Sequence, residues 1–249
     1  MSGHSKWATI KHKKGAQDKA RGKLFAKLIR QVEVAARQGG SDLDSNATLR
    51  TMYQKARDAS VPLDTIERAI KRGSGELEGV IYEAITYEGY APNGVAVLVE
   101  VLTDNRNRAG AEMRSVMKKA GGSIAEPGAV AWQFERKGVI NVARSVEEDD
   151  VMMAALDAGA EDIVDEGDTW RVTCAPTDVH AVVTALTDAG IAIESEDTTM
   201  LPQNTIALES ADAAKSVLRV IDALDDLDDV QDVYANFDIP DSLMQALEA

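Results

Sequence analysis

Apolar residues in the first third of the chain recur every three to four positions, which is the period of an amphipathic α-helix. One such helix is predicted over residues 23–37, where Gly39-Gly40 ends the pattern. A second is predicted over residues 46–59, and a third begins at Pro62 and stops at Gly73-Ser74-Gly75. The pattern therefore predicts a small helical bundle, followed by a hinge at residues 73–79.

Beyond residue 79 the apolar pattern changes to short strands that alternate with helices. Strands are predicted at residues 80–87, 94–102 and 130–134, with a helix over residues 107–120 that ends at Gly121-Gly122. The next stretch predicts the order strand, helix, strand, strand, helix, strand. Its strands are residues 139–142, 163–164, 170–174 and 191–195, and Ser145 with Glu148 forms a capping box for its first helix. This βαββαβ order is that of the ferredoxin-like fold.

The last part of the chain is too short to build a core alone. It holds a predicted strand at residues 205–208, a helix around residues 217–224 and a strand at residues 233–237. We expect these elements to complete the sheet that begins at residue 80. The predicted fold class is therefore α+β, with an N-terminal helical bundle (residues 1–79) and two ferredoxin-like domains. The second of these (residues 137–203) is inserted into the first, which comprises residues 80–136 with 204–249.

Composition agrees with a soluble globular protein of two or three domains. The 249 residues are 45% hydrophobic and 28% charged, and the longest apolar run is too short to span a bilayer. The N-terminus lacks the apolar core of a secretory signal, and a lone cysteine, Cys174, excludes an internal disulfide. We expect a cytoplasmic protein that does not contact membranes and acts as a monomer.

Charge is distributed unevenly along the chain. Residues 1–75 hold 16 basic and 7 acidic side chains, whereas the whole chain carries a net charge of −15. Clustered cations neutralise phosphates and release counterions, while an acidic body is repelled by nucleic acid elsewhere. The N-terminal part is therefore the candidate nucleic-acid interface.

Two groups of residues make up this candidate interface. On a helical wheel Lys19, Lys23, Lys27 and Arg30 fall within an arc of about 80°, opposite the apolar face, with the helix expected to start near Gly22. The second group lies upstream and consists of Lys6, Trp7, Lys11, His12, Lys13 and Lys14. The alternative is a merely solvated surface, and Trp7 either stacks on a base or anchors the N-terminal arm.

A third candidate lies at a predicted strand-to-helix junction, where Asn105, Arg106 and Arg108 follow Thr103. Amide and guanidinium groups at a helix N-terminus can hold a phosphate. The alternative is a helix cap, with the arginines paired to acids.

Catalytic chemistry finds little support. His4, His12 and His180 lack a partner at motif spacing, and Cys174 is expected to pack within a strand. The acidic run Asp225-Asp226-Leu227-Asp228-Asp229 lacks the glycine and ligand spacing of a calcium loop, so a solvated turn is the interpretation. The sequence thus predicts no enzyme, no cofactor and no metal.

Several of these stretches resemble the signatures of the YebC/PmpR family. The N-terminal ones are Gly3-His4-Ser5-Lys6-Trp7, Ile10-Lys11-His12-Lys13-Lys14 and Arg21-Gly22-Lys23. The later ones are Tyr87-Glu88-Gly89-Tyr90, the run from Thr103 to Arg108, Glu126-Pro127-Gly128 through Ala131-Trp132, the acidic run, and Asn236-Phe237-Asp238. The resemblance spans nearly the whole chain.

This resemblance implies a helical domain followed by two α+β domains. It also implies a non-enzymatic transcriptional regulator in the cytoplasm that contacts DNA through its basic N-terminal domain. The alternatives are a translation factor that binds ribosomal or transfer RNA at the ribosome, as the mitochondrial translational activators do, and a protein–protein adaptor. The scarcity of base-reading side chains in the basic cluster favours recognition of phosphate or shape.

Overall fold

The structure is a computed structural model that describes residues 18–240 and 243–244, with side chains from residue 21 onward. Its helices, in chain order, are α1 (Asp18–Gly39), α2 (Ala47–Asp58), α3 (Leu63–Ser74), α4 (Arg106–Ala120), α5 (Glu148–Ala155), α6 (Val179–Asp188) and α7 (Ala211–Asp225). The strands are β1 (Glu83–Tyr90), β2 (Ala96–Thr103), β3 (Ser123–Ile124), β4 (Phe134–Ala143), β5 (Ala160–Asp165), β6 (Thr169–Cys174), β7 (Ile193–Pro202), β8 (Ile206–Ala207), β9 (Val230–Ala235) and β10 (Phe237–Asp238).

The first three helices pack into the expected bundle. Asn46 caps α2 by accepting a hydrogen bond from the Leu49 amide at 3.0 Å, and its side-chain amide donates to Ala35 O and Gly40 O of the preceding turn. The buried faces of the three helices meet in one apolar core, formed by Leu28, Val32, Ala35, Ala36, Leu49, Ala56, Val61, Ile66 and Ala69. Helix α1 begins at Asp18, four residues before the predicted start at Gly22, so Lys19 belongs to the helix.

Helices α1 and α3 approach each other closely at Gly73. A Cβ atom there would lie 2.4 Å from Glu33 O, so any larger residue would force the helices apart. The buried Glu33 carboxylate accepts a hydrogen bond from Arg72 Nε at 2.8 Å on the same side. At this crossing the bundle therefore combines one glycine with one ion pair whose carboxylate is buried and whose guanidinium is partly exposed.

The middle domain is built on an antiparallel sheet with the order β3-β1-β2-β9. Strand β9, from the end of the chain, pairs with β2 from Val97↔Ala235 to Val101↔Val230. The late segment thus joins the sheet that begins near residue 80, as expected. Strands β2 and β3 are joined by α4 with β1 between them, which gives a split βαβ arrangement as in ferredoxin-like folds.

Helices α4 and α7 lie side by side on one face of this sheet. Alternate residues of β2 face the two sides: Val97, Val99 and Val101 pack under the helices. On the opposite face Ala96 and Leu98 pack with Val130, Phe134 and Tyr234. Because α4 starts where β2 ends and α7 ends where β9 begins, the two helices run antiparallel.

The inserted domain has the strand order β5-β6-β4-β7, with all neighbouring strands antiparallel. Its chain order is the predicted βαββαβ, and its core includes Ile140, Val172, Leu186 and Cys174. Cys174 is fully buried, as expected, and burial raises the pKa of its thiol. A nucleophilic role has no support, because the thiolate form is disfavoured there.

The chain enters and leaves the inserted domain at adjacent points. Phe134 at the start of β4 pairs with Pro202 at the end of β7, and Gln203 N donates to Gln133 O at 2.8 Å. Strand β4 therefore begins at Phe134, before the predicted start of the inserted domain at residue 137, and β7 ends at Pro202, next to its predicted end at residue 203. The division into three domains at residues 79, 136 and 203 stays a prediction.

Some local predictions are wrong. Residues 130–134 do not form a strand: Ala131–Gln133 is a short 3₁₀ helix, and β4 starts at Phe134. The cause is Glu88 on β1, whose carboxylate accepts hydrogen bonds from the amides of Gly128, Val130 and Ala131 and so curls this loop. The capping box is also absent, because Glu147 occupies the N-cap position of α5 and makes no side-chain cap.

Among the residues that the structure describes, no helix combines the length and the apolar character needed to cross a membrane.

Candidate nucleic-acid interface

The predicted interface divides into residues that the structure describes and residues that it does not. Lys6, Trp7, Lys11, His12, Lys13 and Lys14 lie outside the described residues, as does the side chain of Lys19. The geometry below therefore concerns the remaining six candidates, which are Lys23, Lys27, Arg30, Asn105, Arg106 and Arg108.

The cations of α1 face the acidic segment that follows α7 in the same chain. Lys23 Nζ lies 2.8 Å from Asp226 Oδ1, and Lys27 Nζ lies 2.9 Å from Asp225 Oδ1. Both ammonium groups also donate to the main-chain oxygens of these aspartates, at 2.9 and 3.3 Å. The helical bundle is thus docked on the middle domain by charge-assisted hydrogen bonds.

Arg30 completes this contact at its most buried point. Its guanidinium donates to Leu102 O and Asp228 O, each at 2.9 Å, and to Asp229 Oδ1 at 3.2 Å. The other oxygen of Asp229 accepts from Arg108 at 2.8 Å and from the Thr103 hydroxyl at 2.7 Å. Asp229 therefore links α1, the start of α4 and the end of α7.

The electrostatics of Asp229 follow from these contacts. Burial alone would raise the pKa of the carboxyl group, but the hydrogen bonds from Arg108 and Thr103 and the charges of Arg108 and Arg30 outweigh it. The pKa of Asp229 is consequently held below its ordinary value. The same contacts raise the pKa of Arg108, first through its hydrogen bond to Asp229, so this ion pair stays charged at neutral pH.

The expectation that α1 presents an open cationic face is therefore wrong for its described part. Only 14% of the Lys27 side chain and 15% of the Arg30 side chain are exposed. The expectation of a merely solvated acidic turn at residues 225–229 is wrong for the same reason. The two segments lie about 200 positions apart in sequence, and a charge pattern read along the chain does not show that such distant segments attract and dock.

The junction after β2 adopts the alternative of a helix cap. Asn105 Oδ1 accepts from the Arg108 amide at 3.1 Å and so caps α4. Arg106 pairs with Glu83 at 2.6 Å, and Arg108 pairs with Asp104 as well as Asp229. A further role of this junction in holding phosphate remains a proposal.

Other candidate chemistry is sparse. His180 is exposed on α6, and the described residues hold no cluster of three or more His, Cys, Asp or Glu side chains that could bind a metal ion.

One ordered surface feature has no clear signal in the sequence. Trp132 is 66% exposed, and its indole donates to Ala129 O at 3.1 Å, so the ring is fixed on the loop that Glu88 holds. The 44 positions between Glu88 and Trp132 match no sequence motif that would predict this arrangement. Only the family resemblance includes both residues.

Together these features define an α+β protein in which an N-terminal helical bundle is docked on one of two antiparallel sheets. Comparison with known proteins agrees with this class. Residues 5–76 match the model of the TACO1/YebC N-terminal domain, and residues 82–237 match that of the TACO1/YebC second and third domains. The chain belongs to the TACO1/YebC family.

Relatives match the chain over its full length. One from Acidithiobacillus ferrooxidans is 53% identical over 100% of this chain and 99% of its own. Another, from Mycobacterium sp. strain KMS, is 56% identical over the whole of both chains. Each carries the name "Probable transcriptional regulatory protein". A crystal structure of a conserved hypothetical protein from Aquifex aeolicus is 44% identical and superposes with a TM-score of 0.79, covering 90% of this chain and 93% of that one.

Proposed function

We propose that this protein is a non-enzymatic, cytoplasmic regulator of transcription that contacts the DNA backbone through its basic N-terminal segment. The observation that carries the proposal is the charge of that segment: residues 1–17 contain four lysines and no acidic residue. The names of the full-length relatives support the regulatory role.

The described contacts narrow the proposed surface. Lys23, Lys27 and Arg30 are occupied by carboxylates of the same chain. A phosphate group would have to displace these carboxylates in order to bind α1. We therefore expect nucleic acid to bind first at another part of the protein. We therefore assign the phosphate contacts to Lys6, Lys11, Lys13 and Lys14, with His12 and Trp7 beside them. The three cations of α1 then serve to position that segment on the rest of the molecule.

The kind of contact follows from the side chains available. Lysine binds phosphate as a point charge and does not read base edges as a bidentate arginine or amide does. The segment holds four lysines and no arginine, so contacts to phosphate should dominate its affinity. Binding is then expected to depend strongly on salt and weakly on sequence.

The test replaces Lys11, Lys13 and Lys14 with alanine and measures binding of a fluorescein-labelled DNA duplex by anisotropy over a salt series. Each lost phosphate contact should reduce the slope of log K against log salt by about 0.9, and three contacts by about 2.7. The loss should be similar for promoter and random sequences.

A matched control removes the same charge from the same domain. Arg57, Arg68 and Lys71 are exposed on α2 and α3, and their replacement with alanine should leave the slope nearly unchanged. If the Lys11, Lys13 and Lys14 variant keeps the wild-type slope, the basic segment is not the contact surface.

One comparison separates this proposal from the alternatives. Cosedimentation with ribosomes at moderate salt, together with promoter DNA bound no better than random DNA, would contradict the DNA assignment and favour the translation factor. Capture of a protein partner that is insensitive to nuclease, without nucleic-acid binding, would favour the adaptor.

A further inference from the structure

The acidic part of the chain distributes its few cations in two distinct ways. Residues 76–249 contain 11 lysines and arginines. Six of them form ion pairs with carboxylates: Arg106, Arg108, Arg136, Lys137, Arg144 and Arg171. The other five form none with any carboxylate that the structure describes, and all five lie on α4 or α7: Arg114, Lys118, Lys119, Lys215 and Arg219. We call these five residues the helix-layer cations.

The helix-layer cations share one surface. Helices α4 and α7 pack on the same sheet face through buried residues such as Met113, Met117, Val217 and Leu224. The five cations are all exposed, and they lie on the faces that these buried positions leave outward. Since neighbouring helices lie about 8–10 Å apart, the cations occupy a continuous patch.

Fold stability does not explain this arrangement. Arg114 with Lys118, and Lys215 with Arg219, are like-charge pairs at i,i+4 spacing, which destabilise a helix. The helix dipole favours Lys118 and Lys119 in the last turn of α4. It does not favour Arg114 in the middle of α4 or Lys215 in the second turn of α7. On α7 Asp212 and Asp222 lie three positions from Lys215 and Arg219 and offset their repulsion, whereas the repulsion between Arg114 and Lys118 on α4 has no such offset.

The chemistry of the patch indicates which partner fits. Three exposed carboxylates share it, Glu112, Asp212 and Asp222, so its charge stays positive while residues 76–249 are strongly acidic overall. A protein partner would need apolar anchors at its centre. Among the residues whose side chains the structure describes, the exposed large hydrophobic ones are Leu24, Leu63, Leu77, Val80, Ile81, Trp132, Met152, Met153 and Leu156, and not one lies on α4 or α7. A phosphate backbone needs only cations.

Helix α1, which follows the proposed N-terminal segment, docks at one end of the helix layer. Helix α1 docks where α4 begins and α7 ends, through Arg30 and Lys23. Asp18, the first described residue, lies five positions before Lys23 on the same helix. The described part of α1 therefore meets the end of the helix layer at which α4 begins, whereas Lys118 and Lys119 lie in the last turn of α4.

We propose that the outer face of α4 and α7 is a second phosphate-contact surface, which binds the backbone of the same nucleic acid that the N-terminal segment holds. This inference rests on the proposed function and extends it from one contact to two. The two contacts together would orient the acidic body on the nucleic acid instead of leaving it tethered by its N-terminus.

The test replaces Arg114, Lys118 and Lys119 with glutamine in the full chain. Anisotropy over a salt series is measured with a fluorescein-labelled DNA duplex of random sequence and with a single-stranded RNA of equal length. On duplex DNA the slope of log K against log salt should fall by up to about 2.7, and affinity at low salt should fall at least tenfold. The thermal midpoint should change little, because the loss of the Arg114–Lys118 repulsion offsets the loss of the favourable interaction of Lys118 and Lys119 with the helix dipole.

A control variant changes the net charge equally at a distant site. His180→Glu, Ala181→Glu and Thr187→Glu on the exposed side of α6 also make the protein more negative by three charges. This control should bind nearly as the wild type does. An equal loss in both variants would show a general charge effect and overturn the assignment of the patch.

The two proposals fail in different ways. Wild-type affinity in the Arg114, Lys118 and Lys119 variant, with loss in the Lys11, Lys13 and Lys14 variant, would overturn the second surface and leave the proposed function intact. If the wild-type protein binds neither probe, both proposals are wrong.

Discussion

At the scale of single residues, Glu88 shows how one side chain shapes a distant loop. Its carboxylate is buried on β1 and accepts hydrogen bonds at 2.6, 2.7 and 2.8 Å from the amides of Gly128, Val130 and Ala131. Burial raises the pKa of this group, but the three hydrogen bonds together outweigh it and lower the pKa below 4.5. Glu88 therefore stabilises the folded protein as an anion.

This assignment predicts a pH-dependent effect of Glu88→Gln. A lowered pKa contributes stability that is present above about pH 4.5 and is lost as the pH falls through the folded-state value. The variant should lose about 2 kcal/mol of unfolding free energy at neutral pH, since an amide group cannot accept all three bonds. Urea midpoints at neutral pH and at about pH 3 should show this difference shrinking on acidification.

The control is Glu126→Gln, in the same loop but exposed. Its midpoint should follow that of the wild type at both pH values. A Glu88→Gln deficit that does not change with pH would mean that the lost stability is not that of a buried carboxylate.

Glu88 also shows a limit of prediction from sequence. The run at residues 130–134 has the apolar content of a strand, but three amides of this region bind a carboxylate about 40 positions earlier in the chain. That tertiary contact overrides the local pattern. The two-residue strand β3 was missed because it is too short to show any periodicity.

At the scale of elements, the helices were predicted most accurately. Their amphipathic period and glycine stops are local signals, and α2 and α4 differ from the predictions by one residue at their ends. Strand lengths were less accurate: β7 runs over Ile193–Pro202, whereas residues 191–195 were predicted. The second half of β7 is only half-buried, so its alternation is weak in sequence.

The docking of α1 on the acidic segment predicts a specific loss of stability. Asp229→Asn removes the negative charge that pairs with both Arg30 and Arg108. Arg30, the more buried of the two arginines, is then left without its carboxylate partner. The free energy of unfolding should fall by about 2 kcal/mol, as is typical for a hydrogen bond to a charged group. Urea denaturation at neutral pH measures this change.

Asp228 provides the matched control, because its side chain is exposed and only its main-chain oxygen contacts Arg30. Asp228→Asn makes the same change in charge one position away and should leave stability within about 0.5 kcal/mol. Equal losses in the two variants would indicate that net charge, and not the contact with Arg30, matters.

At the scale of the whole molecule, the separation of basic and acidic segments is visible in the sequence. The ion pairs that form between these segments in the folded protein are not. The basic beginning and the acidic remainder were evident from counting residues. That Lys27 meets Asp225 depends on how the bundle and the sheet domain fold. The sequence therefore indicated a polyanion-binding segment and left open which cations the fold itself uses.

The discontinuous middle domain predicts that the inserted domain is removable. Gly138 pairs directly with Thr198, so residues 139–197 can be replaced by an Asn-Gly turn that closes a hairpin. The shortened protein should remain folded and unfold cooperatively, because the cores around β2 and around α1 stay intact. The exposed ion pair of Lys55 with Asp197 is lost at little cost.

Truncation after Pro202 is the contrasting variant. It removes α7 and β9, which supply a large share of the middle core, and it should abolish cooperative unfolding of that domain. Circular dichroism with thermal melting compares the two. Loss of folding in the hairpin variant would mean that the sheet domain cannot stand without its insertion.

The paired entry and exit of the inserted domain also constrain how it moves. Residues 134–137 and 199–202 pair with one another before β6 joins the sheet, so the attachment is a two-stranded ribbon. This ribbon is held against the middle domain, because Phe134 and Met200 pack on its sheet and Arg136 pairs with Glu100. The inserted domain is therefore restrained at its attachment, where two independent linkers would let it tumble.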